Sequence, residues 1–132
     1  MPIALNPIGQ IALTVDDADV AERFYEHTLG LRKLFRFGNL SFFDCAGVRL
    51  MVDKLDKTEP FKPSSSVIYF RTPDITLAVR ELKTKGVEFV DNPHLIAPMP
   101  DHDLWMTFFK DPSGNLLALM QEAPKGYQPP AA

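Results

Sequence analysis

The feature that most constrains the fold of this chain is an internal repeat. Ile11 and Asp17 in the first half recur as Ile68 and Asp74 in the second half, and both pairs have the same separation along the chain. In each copy, an apolar strand-like run is followed by an Asp that can cap the start of a helix. One such copy covers its own sheet poorly, so we expect two copies to pair and to share a concave surface. The alternative, two unrelated strand-and-helix starts, stays open at this point.

The first copy predicts a strand, a helix and a three-stranded meander. Large apolar residues alternate with smaller ones at 11–15, which is typical of a strand with one strongly apolar face. Residues 18–29 predict an amphipathic helix with Val20, Phe24 and His27 at helical spacing. Three short β-like runs, separated by glycine-containing turns, follow at 33–37, 41–45 and 48–52.

The second copy repeats this order and adds a proline-rich interruption. Residues 67–71 predict a strand, and Pro73-Asp74 predicts the start of a helix whose apolar stripe runs from Ile75 to Leu82. Further strands are predicted at 87–90, 104–110 and 116–121, with a loop at 91–103. We expect one domain over 1–132, made of module 1 at about 8–53, a linker at 54–65, module 2 at about 66–122 and a mobile tail at 123–132.

Composition restricts the partners. Fourteen basic and seventeen acidic residues give a net charge of -3 without a Lys/Arg cluster, which argues against a nucleic-acid partner. No segment approaches the roughly 20 apolar residues that span a bilayer, so we expect no membrane partner. The only cysteine, Cys45, cannot form an internal disulfide, which fits a reducing compartment. The expected protein is cytoplasmic, and its expected partner is a small molecule.

Three segments taken together resemble the vicinal oxygen chelate superfamily. They are Ile-Gly-Gln-Ile-Ala-Leu-Thr-Val at 8–15 with Phe-Tyr at 24–25 and Leu-Gly-Leu at 29–31, the opening of the second copy at 67–74, and Phe-Lys-Asp-Pro-Ser-Gly-Asn at 109–115. Glyoxalase I, methylmalonyl-CoA epimerase, bleomycin-resistance proteins, fosfomycin-resistance enzymes and extradiol dioxygenases belong to this superfamily. The resemblance covers about residues 8–122. It implies an α+β fold in which two paired βαβββ modules form a cup-shaped mixed sheet with flanking helices, often completed as a homodimer.

The resemblance also implies where a metal would be held. Metal-using members take one ligand from the first strand and one from the fourth strand of each module, near positions Gln10, Met51, Val67 and Ala118 of this chain. Of these, only Gln10 offers an oxygen donor, and Ala118 stands where glyoxalase I and the epimerase have a glutamate. The other side chains give no hard donor to offset dehydration of a divalent ion. We therefore expect no metal and no cofactor, and neither standard glyoxalase chemistry nor ring-cleaving dioxygenation.

Strand alternation predicts the lining of the cup. If Gln10 faces inward, residues two positions apart along its strand face inward with it, and the same parity applies to the corresponding strands. The predicted ligand pocket is Gln10, Arg49, Met51, Val67, Tyr69, Arg71, Trp105, Ala118 and Met120. A mostly apolar wall with a few polar points is typical of a small-molecule site, and arginine favours a carboxylate or phosphate on the ligand. Alternatively, Tyr69 and Arg71 lie at a dimer contact or on the surface.

The segment 93–105 is the other candidate for chemistry. It contains two of the three histidines, two aspartates and the only tryptophan, and it could close over the cup. His102 lies between Asp101 and Asp103, which favour its charged form, so these three residues and Tyr69 are the candidate acid–base groups. The alternative is a solvated loop in which Asp101 caps a turn and Trp105 fills the core.

Three functional hypotheses remain open from the sequence. The first is a metal-independent protein that binds a small, partly apolar and anionic ligand in its cup, as bleomycin-resistance proteins bind drugs. The second is a lyase or isomerase similar to glyoxalase I or methylmalonyl-CoA epimerase whose catalytic residues are displaced, with Tyr69 or the segment 101–103 as replacements. The third is a non-catalytic subunit that binds a protein partner. Whether the chain is an enzyme is therefore left open.

Overall fold

Strands and helices follow one another in the same order twice along the chain. The structure, a computed structural model, describes residues 3–56 and 59–130. The first series is β1 (Gln10–Thr14), α1 (Ala18–Arg23, continued by a π-helical turn at Phe24–Thr28), β2 (Arg32–Phe37), β3 (Leu40–Cys45) and β4 (Val48–Asp53). The second series is β5 (Ile68–Arg71), α2 (Ile75–Thr84), β6 (His94–Pro98), β7 (Asp103–Lys110) and β8 (Leu116–Ala123).

The chain divides between Ser64 and Ser65 into two compact units, unit 1 and unit 2, which hold one series each. This division falls at the end of the linker predicted at 54–65. Positions 57–58 of that linker, and the last two positions of the predicted tail, lie outside the described residues.

Each unit contains a four-stranded mixed sheet. The strand orders are β1-β4-β3-β2 in unit 1 and β5-β8-β7-β6 in unit 2. The first strand runs parallel to the fourth in each unit, and the other neighbours are antiparallel. A parallel pair needs a long crossover, which the helix and the two intervening strands supply. The predicted α+β class and the βαβββ order of both modules are thereby confirmed.

The two helices begin with the same capping interaction. The Asp17 side chain accepts a hydrogen bond of 3.0 Å from the backbone N–H of Val20. The Asp74 side chain accepts one of 3.0 Å from Leu77. Donor and acceptor recur at the offset of the repeat, so the duplication extends to the detail of the helix cap. Neither helix in the described ranges is long and apolar enough to cross a membrane.

The two helices differ by one residue in the span from cap to carboxyl end. Both are followed by a glycine in the left-handed conformation, Gly30 with φ 75° and Gly86 with φ 89°. The span from Asp17 to Gly30 is one residue longer than the span from Asp74 to Gly86. A π turn closes its hydrogen bond over one more residue than an α turn, so the π-helical turn at Phe24–Thr28 takes up the extra residue.

In unit 1, the helix covers one face of the sheet and forms the core with it. Tyr25 and Phe43 are fully buried, and their ring centroids lie 6.0 Å apart. Leu50 pairs with Phe43 across the sheet, and Val52 follows it on the same face; both are buried. Burying an aromatic or aliphatic side chain of this size stabilises the fold by about 1.5–3 kcal/mol.

The helix stripe predicted in unit 1 is wrong at two positions. Val20 is 39% exposed, and the His27 side chain is exposed. The buried positions upstream are Ala18 and Ala21 instead, whose short side chains let the helix backbone lie close to the sheet. Tyr25, four residues after Ala21, continues this buried face, and His27 lies outside it.

Polar contacts from Glu22 fasten α1 to the sheet. Arg36 Nη1 donates to Glu22 Oε2 at 2.8 Å, and Lys33 Nζ donates to Oε1 at 3.3 Å. The hydroxyl of Ser41 adds a third donor at 3.3 Å. The hydrogen bond from Arg36, with the help of Lys33, holds the pKa of Glu22 below its ordinary value despite partial burial.

Unit 2 fastens its helix with a neutral contact. The backbone N–H of Ile75 donates to Gln121 Oε1 at 2.9 Å, so the first turn of α2 is tied to β8. The apolar stripe predicted for this helix is buried at Ile75, Val79 and Leu82. Phe109 on β7 is fully buried on the same side of the sheet. The helix therefore covers the sheet in unit 2 as it does in unit 1.

Two secondary-structure predictions in unit 2 are wrong. The segment 91–103, predicted as a loop, contains the edge strand β6, with a bulge between Leu95 and Ala97. Proline is tolerated there because an edge strand has one side without ladder partners and because Pro98 ends the strand. The strand predicted at 87–90 is reduced to a single bridge between Phe89 and Phe109.

The segment after β8 is held by β7. Lys125 Nζ donates to the buried Asp103 carboxylate at 2.9 Å. Tyr127 contacts Trp105 edge to face, with ring centroids 6.0 Å apart. Ala123, predicted as the first residue of the tail, is the last residue of β8 and is fully buried. The boundary predicted at Ala123 is therefore too early.

Candidate functional site

The face of the unit 1 sheet turned away from α1, called the first open face, carries polar and aromatic side chains in rows. Strand register and alternation assign residues to it. One row across the strands is polar and the next is apolar and aromatic. The polar row is Gln10, Arg49, Asp44 and Arg32, and the apolar row is Ala12, Met51, Phe42 and Phe35. The predicted pocket residues of unit 1 thus lie on this one face.

Arg49 is the cation of this face that has no counter-ion among the described residues. Its backbone pairs with Gln10 in the parallel ladder, and the side chain is exposed. The neighbouring Asp44 accepts a hydrogen bond from the Gly47 N–H at 3.0 Å and lies 4.0 Å from Arg32. Among residues 3–56 and 59–130, no carboxylate lies within ion-pair distance of the Arg49 guanidinium. Its donors remain available for an anion.

Gln10 lies against Met51, another residue of the predicted pocket. The Gln10 amide Nε2 is 3.8 Å from Met51 Sδ, a contact to a weak thioether acceptor. The Gln10 amide therefore contacts the Met51 thioether, while its backbone pairs with Arg49. One of its amide protons is engaged weakly, and the group can reorient toward a ligand at little cost.

The corresponding face of unit 2, the second open face, has a different polar arrangement. Arg71 Nη2 donates to Glu122 Oε1 at 3.0 Å, so its charge is already compensated. Tyr69 contacts Phe108 edge to face, with ring centroids 5.9 Å apart. The register assigns to this face Tyr69, Arg71, Ala118, Met120, Glu122, Leu104, Met106, Phe108 and His94. Val67 lies one residue before β5 and is half-buried.

The side chains at the four positions that the resemblance assigns to metal ligands do not fit a metal. Gln10 and Met51 are neighbours in unit 1, but a thioether is a poor ligand for a hard or borderline divalent ion. Val67 and Ala118 in unit 2 offer no donor atom at all. In the described part of the chain, no group of three or more His, Cys, Asp or Glu side chains could hold a metal ion. No step of the chemistry is therefore assigned to a metal.

The candidate acid–base groups of segment 101–103 are each engaged with other groups of the chain. Asp101 and His102 lie in the tight turn between β6 and β7, where His102 Nδ1 is 2.7 Å from Asp101 Oδ1. That hydrogen bond lowers the pKa of Asp101. Asp103 points to the opposite, helix-covered face, where Lys125 and the Gly126 N–H bind it and lower its pKa. Asp103 has a structural role here and is not next to Tyr69.

Trp105 also lies on the covered face of unit 2. It pairs in register with Gln121, whose side chain bonds the start of α2. Trp105 is 8% exposed. It therefore fills the core, as the alternative interpretation of this segment expects, and does not share a face with Tyr69 and Arg71.

Two residues of the second open face were missed by sequence reasoning. His94 faces this side of the sheet opposite Met106, but the segment around it was predicted as a loop. Glu122 was missed because the last strand was predicted to end at Gln121. The signal that could have found Glu122 is parity with Met120 on a longer strand.

A cleft of about 590 Å³ in unit 1 lies beyond the end of β1. Thr14, Lys54, Phe61 and Lys62 are among its lining residues. It contains none of the predicted pocket residues. The first open face, with its row of polar side chains, therefore remains the candidate site.

The sequence and fold together identify the class of protein. The chain belongs to the Glyoxalase/Bleomycin resistance protein/Dioxygenase superfamily, whose family model matches residues 7–119. This confirms the resemblance to the vicinal oxygen chelate superfamily. No match was found among functionally curated proteins.

Several solved structures are similar to this chain. An integron cassette protein from the mobile metagenome of V. cholerae has a TM-score of 0.76 and 19% identity, covering 93% of this chain and 100% of its own. A lactoylglutathione lyase from Agrobacterium tumefaciens has a TM-score of 0.69 and 20% identity, covering 93% and 98%. A superfamily member from Sphaerobacter thermophilus has a TM-score of 0.71 and 25% identity, covering 89% and 98%. Identities at this level support the fold and do not transfer an activity.

Proposed function

We propose that the chain is a metal-independent binding protein that holds a small, partly apolar anion on its first open face. The observation that carries this proposal is the guanidinium of Arg49, which no described carboxylate compensates, on the residue that pairs in register with Gln10. A guanidinium presents a planar fork of donors that matches a carboxylate or phosphate. Met51 and Ala12 next to it supply apolar contact for the rest of the ligand.

The charge arrangement favours Arg49 over Arg71 as the anion-binding residue. Arg71 already donates to Glu122, so an incoming anion would have to displace that carboxylate. Arg49 has no such competitor among the described residues. A hydrogen bond to a charged group contributes about 1.5–3 kcal/mol, which is about tenfold or more in affinity.

The lack of hard donors at Met51, Val67 and Ala118 supports the metal-independent part of the proposal. A ligand that other members of the superfamily would bind through a metal must here be recognised by side chains directly. This matches the expectation for a protein similar to the bleomycin-resistance members. Binding should accordingly be the same with and without a chelator.

The test is a binding titration of short-chain aryl and alkyl carboxylates, by calorimetry or by NMR shifts, with chelator present. Arg49→Gln is expected to weaken binding about tenfold or more, because the anion loses its charged donor. Arg71→Gln is the matched control and is expected to change the affinity less than twofold. Binding that requires a divalent cation, or that survives Arg49→Gln, would contradict the proposal.

A second candidate function, a lyase or isomerase with displaced catalytic residues, is favoured by His94. Its Nδ1 lies 2.9 Å from the backbone oxygen of Asn92. A carbonyl oxygen only accepts, so Nδ1 is the donor of this contact and Nε2 is the ring nitrogen that could accept a proton from a substrate. Such a group can remove a proton next to a carbonyl. The test is exchange of the α-hydrogen of methylmalonyl-CoA with deuterated solvent, which His94→Gln should abolish.

We also propose that the protein works as a cytoplasmic homodimer, as is common in its superfamily. The single cysteine, Cys45, cannot form an internal disulfide, which fits a reducing compartment. Burial, and then the neighbouring Asp44, raise the pKa of its thiol. Light scattering of the purified protein should give twice the monomer mass of 14.8 kDa. A monomer at all concentrations would contradict the dimer.

A further inference from the structure

The edge of the first open face exposes aromatic rings that the core of unit 1 does not bury. Phe35 on β2 is 47% exposed, and Phe37 on the same strand is 74% exposed. β2 is an edge strand of its sheet. Burying apolar surface is favourable, so large exposed rings grouped on one face mark a contact surface.

Phe35 already takes part in a stack. Its ring lies on that of Phe42, with centroids 4.4 Å apart and an interplanar angle of 22°. Phe42 is only 9% exposed, so the accessible side of the stack belongs to Phe35. A further planar ring can extend an offset stack of this kind, whereas a puckered aliphatic ring cannot.

The distance from the aromatic stack to Arg49 limits the size of the ligand. Phe42 pairs with Met51 on β4, and Arg49 is two residues from Met51 on the same face. Adjacent strands are about 4.8 Å apart and two residues along a strand span about 6.7 Å, so Phe35 lies roughly 12 Å from Arg49 between Cα atoms. The extended arginine side chain covers about half of that distance. A ring that extends the stack lies on the side of Phe35 away from Phe42, about one stacking distance farther from Arg49. A ring and an anionic group joined by a chain of a few carbons reach both when the arginine side chain extends toward the ligand.

We infer that the ligand of the first open face is an aryl carboxylate, in which a planar ring stacks on Phe35 and a short linker carries the carboxylate to Arg49. This inference rests on the proposed function. The polar row and the aromatic row of the face are complementary to the two ends of such a molecule. The second open face is less suited to it, because Arg71 is paired and Tyr69 packs edge to face on Phe108.

The test compares three probes of matched length on the full chain: phenylpropionate, cyclohexylpropionate and the neutral phenylpropanol. Simple apolar burial favours the cyclohexyl acid, since it has the larger aliphatic surface. Stacking reverses this order, and phenylpropionate is expected to bind about three- to tenfold more tightly than cyclohexylpropionate. Phenylpropanol is expected to bind at least tenfold more weakly than phenylpropionate, because it lacks the anion.

Two variants separate the inference from the proposed function. Phe35→Leu should remove the preference for phenylpropionate over cyclohexylpropionate and leave carboxylate binding in place, with Phe61→Leu in the cleft beyond β1 as the control. Equal binding of the two acids to the unchanged protein would overturn the aromatic inference and leave the proposed function intact. If neither acid binds, the proposed function fails and the inference with it. Self-association that depends on Phe35 and Phe37 and is insensitive to the acids would assign this surface to a second copy of the chain and overturn the inference.

Discussion

The two sheets have the same strand order, but the arginines Arg49 and Arg71 of their open faces lie level with opposite ends of the first strand and differ in their partners. Arg49 lies beside the first residue of β1 and has no partner among the described residues, whereas Arg71 lies at the end of β5 and is paired with Glu122. The repeat places Thr14 where unit 2 has Arg71. The two copies thus share one strand order, and they differ in whether the arginine of the open face has a carboxylate partner among the described residues.

The covered faces, by contrast, are alike, and this similarity can be tested in the cores. Phe43 and Phe109 occupy the third strand of their units and are both fully buried. Phe43→Ala and Phe109→Ala should each lower the free energy of unfolding by about 3–5 kcal/mol, because each leaves a cavity. Urea denaturation measures this loss. Phe35→Ala on the first open face should change it by less than about 1 kcal/mol. A large loss in one core and not in the other would show that the units are not equivalent.

The way each helix is fastened gives a second difference between the units. Glu22→Gln should lower the free energy of unfolding by at most about 1 kcal/mol at neutral pH, because Arg36 and Lys33 lose one carboxylate partner and keep Asp19 and Glu26 respectively. The pKa of Glu22 is lowered by folding, so its stabilisation is fully present above the ordinary glutamate pKa of about 4.3. That stabilisation is lost as the pH falls through the lower, folded-state value.

The corresponding variant in unit 2 is the control for this pH effect. Gln121 ties α2 to β8 with a neutral amide. Gln121→Ala should destabilise the protein by a similar amount, but the difference from the unchanged protein should not vary with pH. Urea denaturation of all three proteins between acidic and neutral pH makes the comparison. If the difference in unfolding free energy between Glu22→Gln and the unchanged protein stays constant down to low pH, the ion pairs of Glu22 do not stabilise the fold.

The smallest expected effect comes from releasing Arg71. Glu122→Gln removes the carboxylate that now accepts from Arg71. Since an exposed ion pair is worth about 0.2–1 kcal/mol, the variant should gain at most about fivefold in carboxylate affinity at the second open face. An NMR titration in the background of Arg49→Gln would show this gain without interference from the first face. No gain would mean that the contrast between the faces does not depend on Glu122.

Much of the fold was predictable from local patterns. Alternation, glycine turns and the paired capping aspartates are properties of short segments, so β1, the meander and both helix starts were found at or near their observed positions. The strand β6 was missed because proline normally argues against a strand, and only the sheet shows that this is an edge. The helix stripe in unit 1 was misread because the residues that face the sheet before Phe24 are the small Ala18 and Ala21, which give a weaker apolar signal than Val20.

The face on which a site residue lies was predictable only where the residue belongs to a strand that the sequence identifies, because side chains alternate between faces along a strand. Gln10, Arg49 and Met51 lie on regular strands, so their common face followed from alternation. Trp105 was placed in the pocket from its proximity to a supposed loop, and the register of β7 puts it in the core. The state of an arginine, free or paired, depends on a side chain from another strand. It could not be derived before the register was known.

The π-helical turn at Phe24–Thr28 has a consequence for how the two copies can diverge. In a regular helix an added residue rotates every later side chain by about 100°, which would turn the buried ring of Tyr25 or its successors out of the core. Widening a single turn absorbs the addition locally, so the capping aspartate and the closing glycine keep their places. The first copy can therefore accept one extra residue at this turn without moving either end of the helix. Homologous chains whose helices differ in length by one residue are expected to differ at this turn.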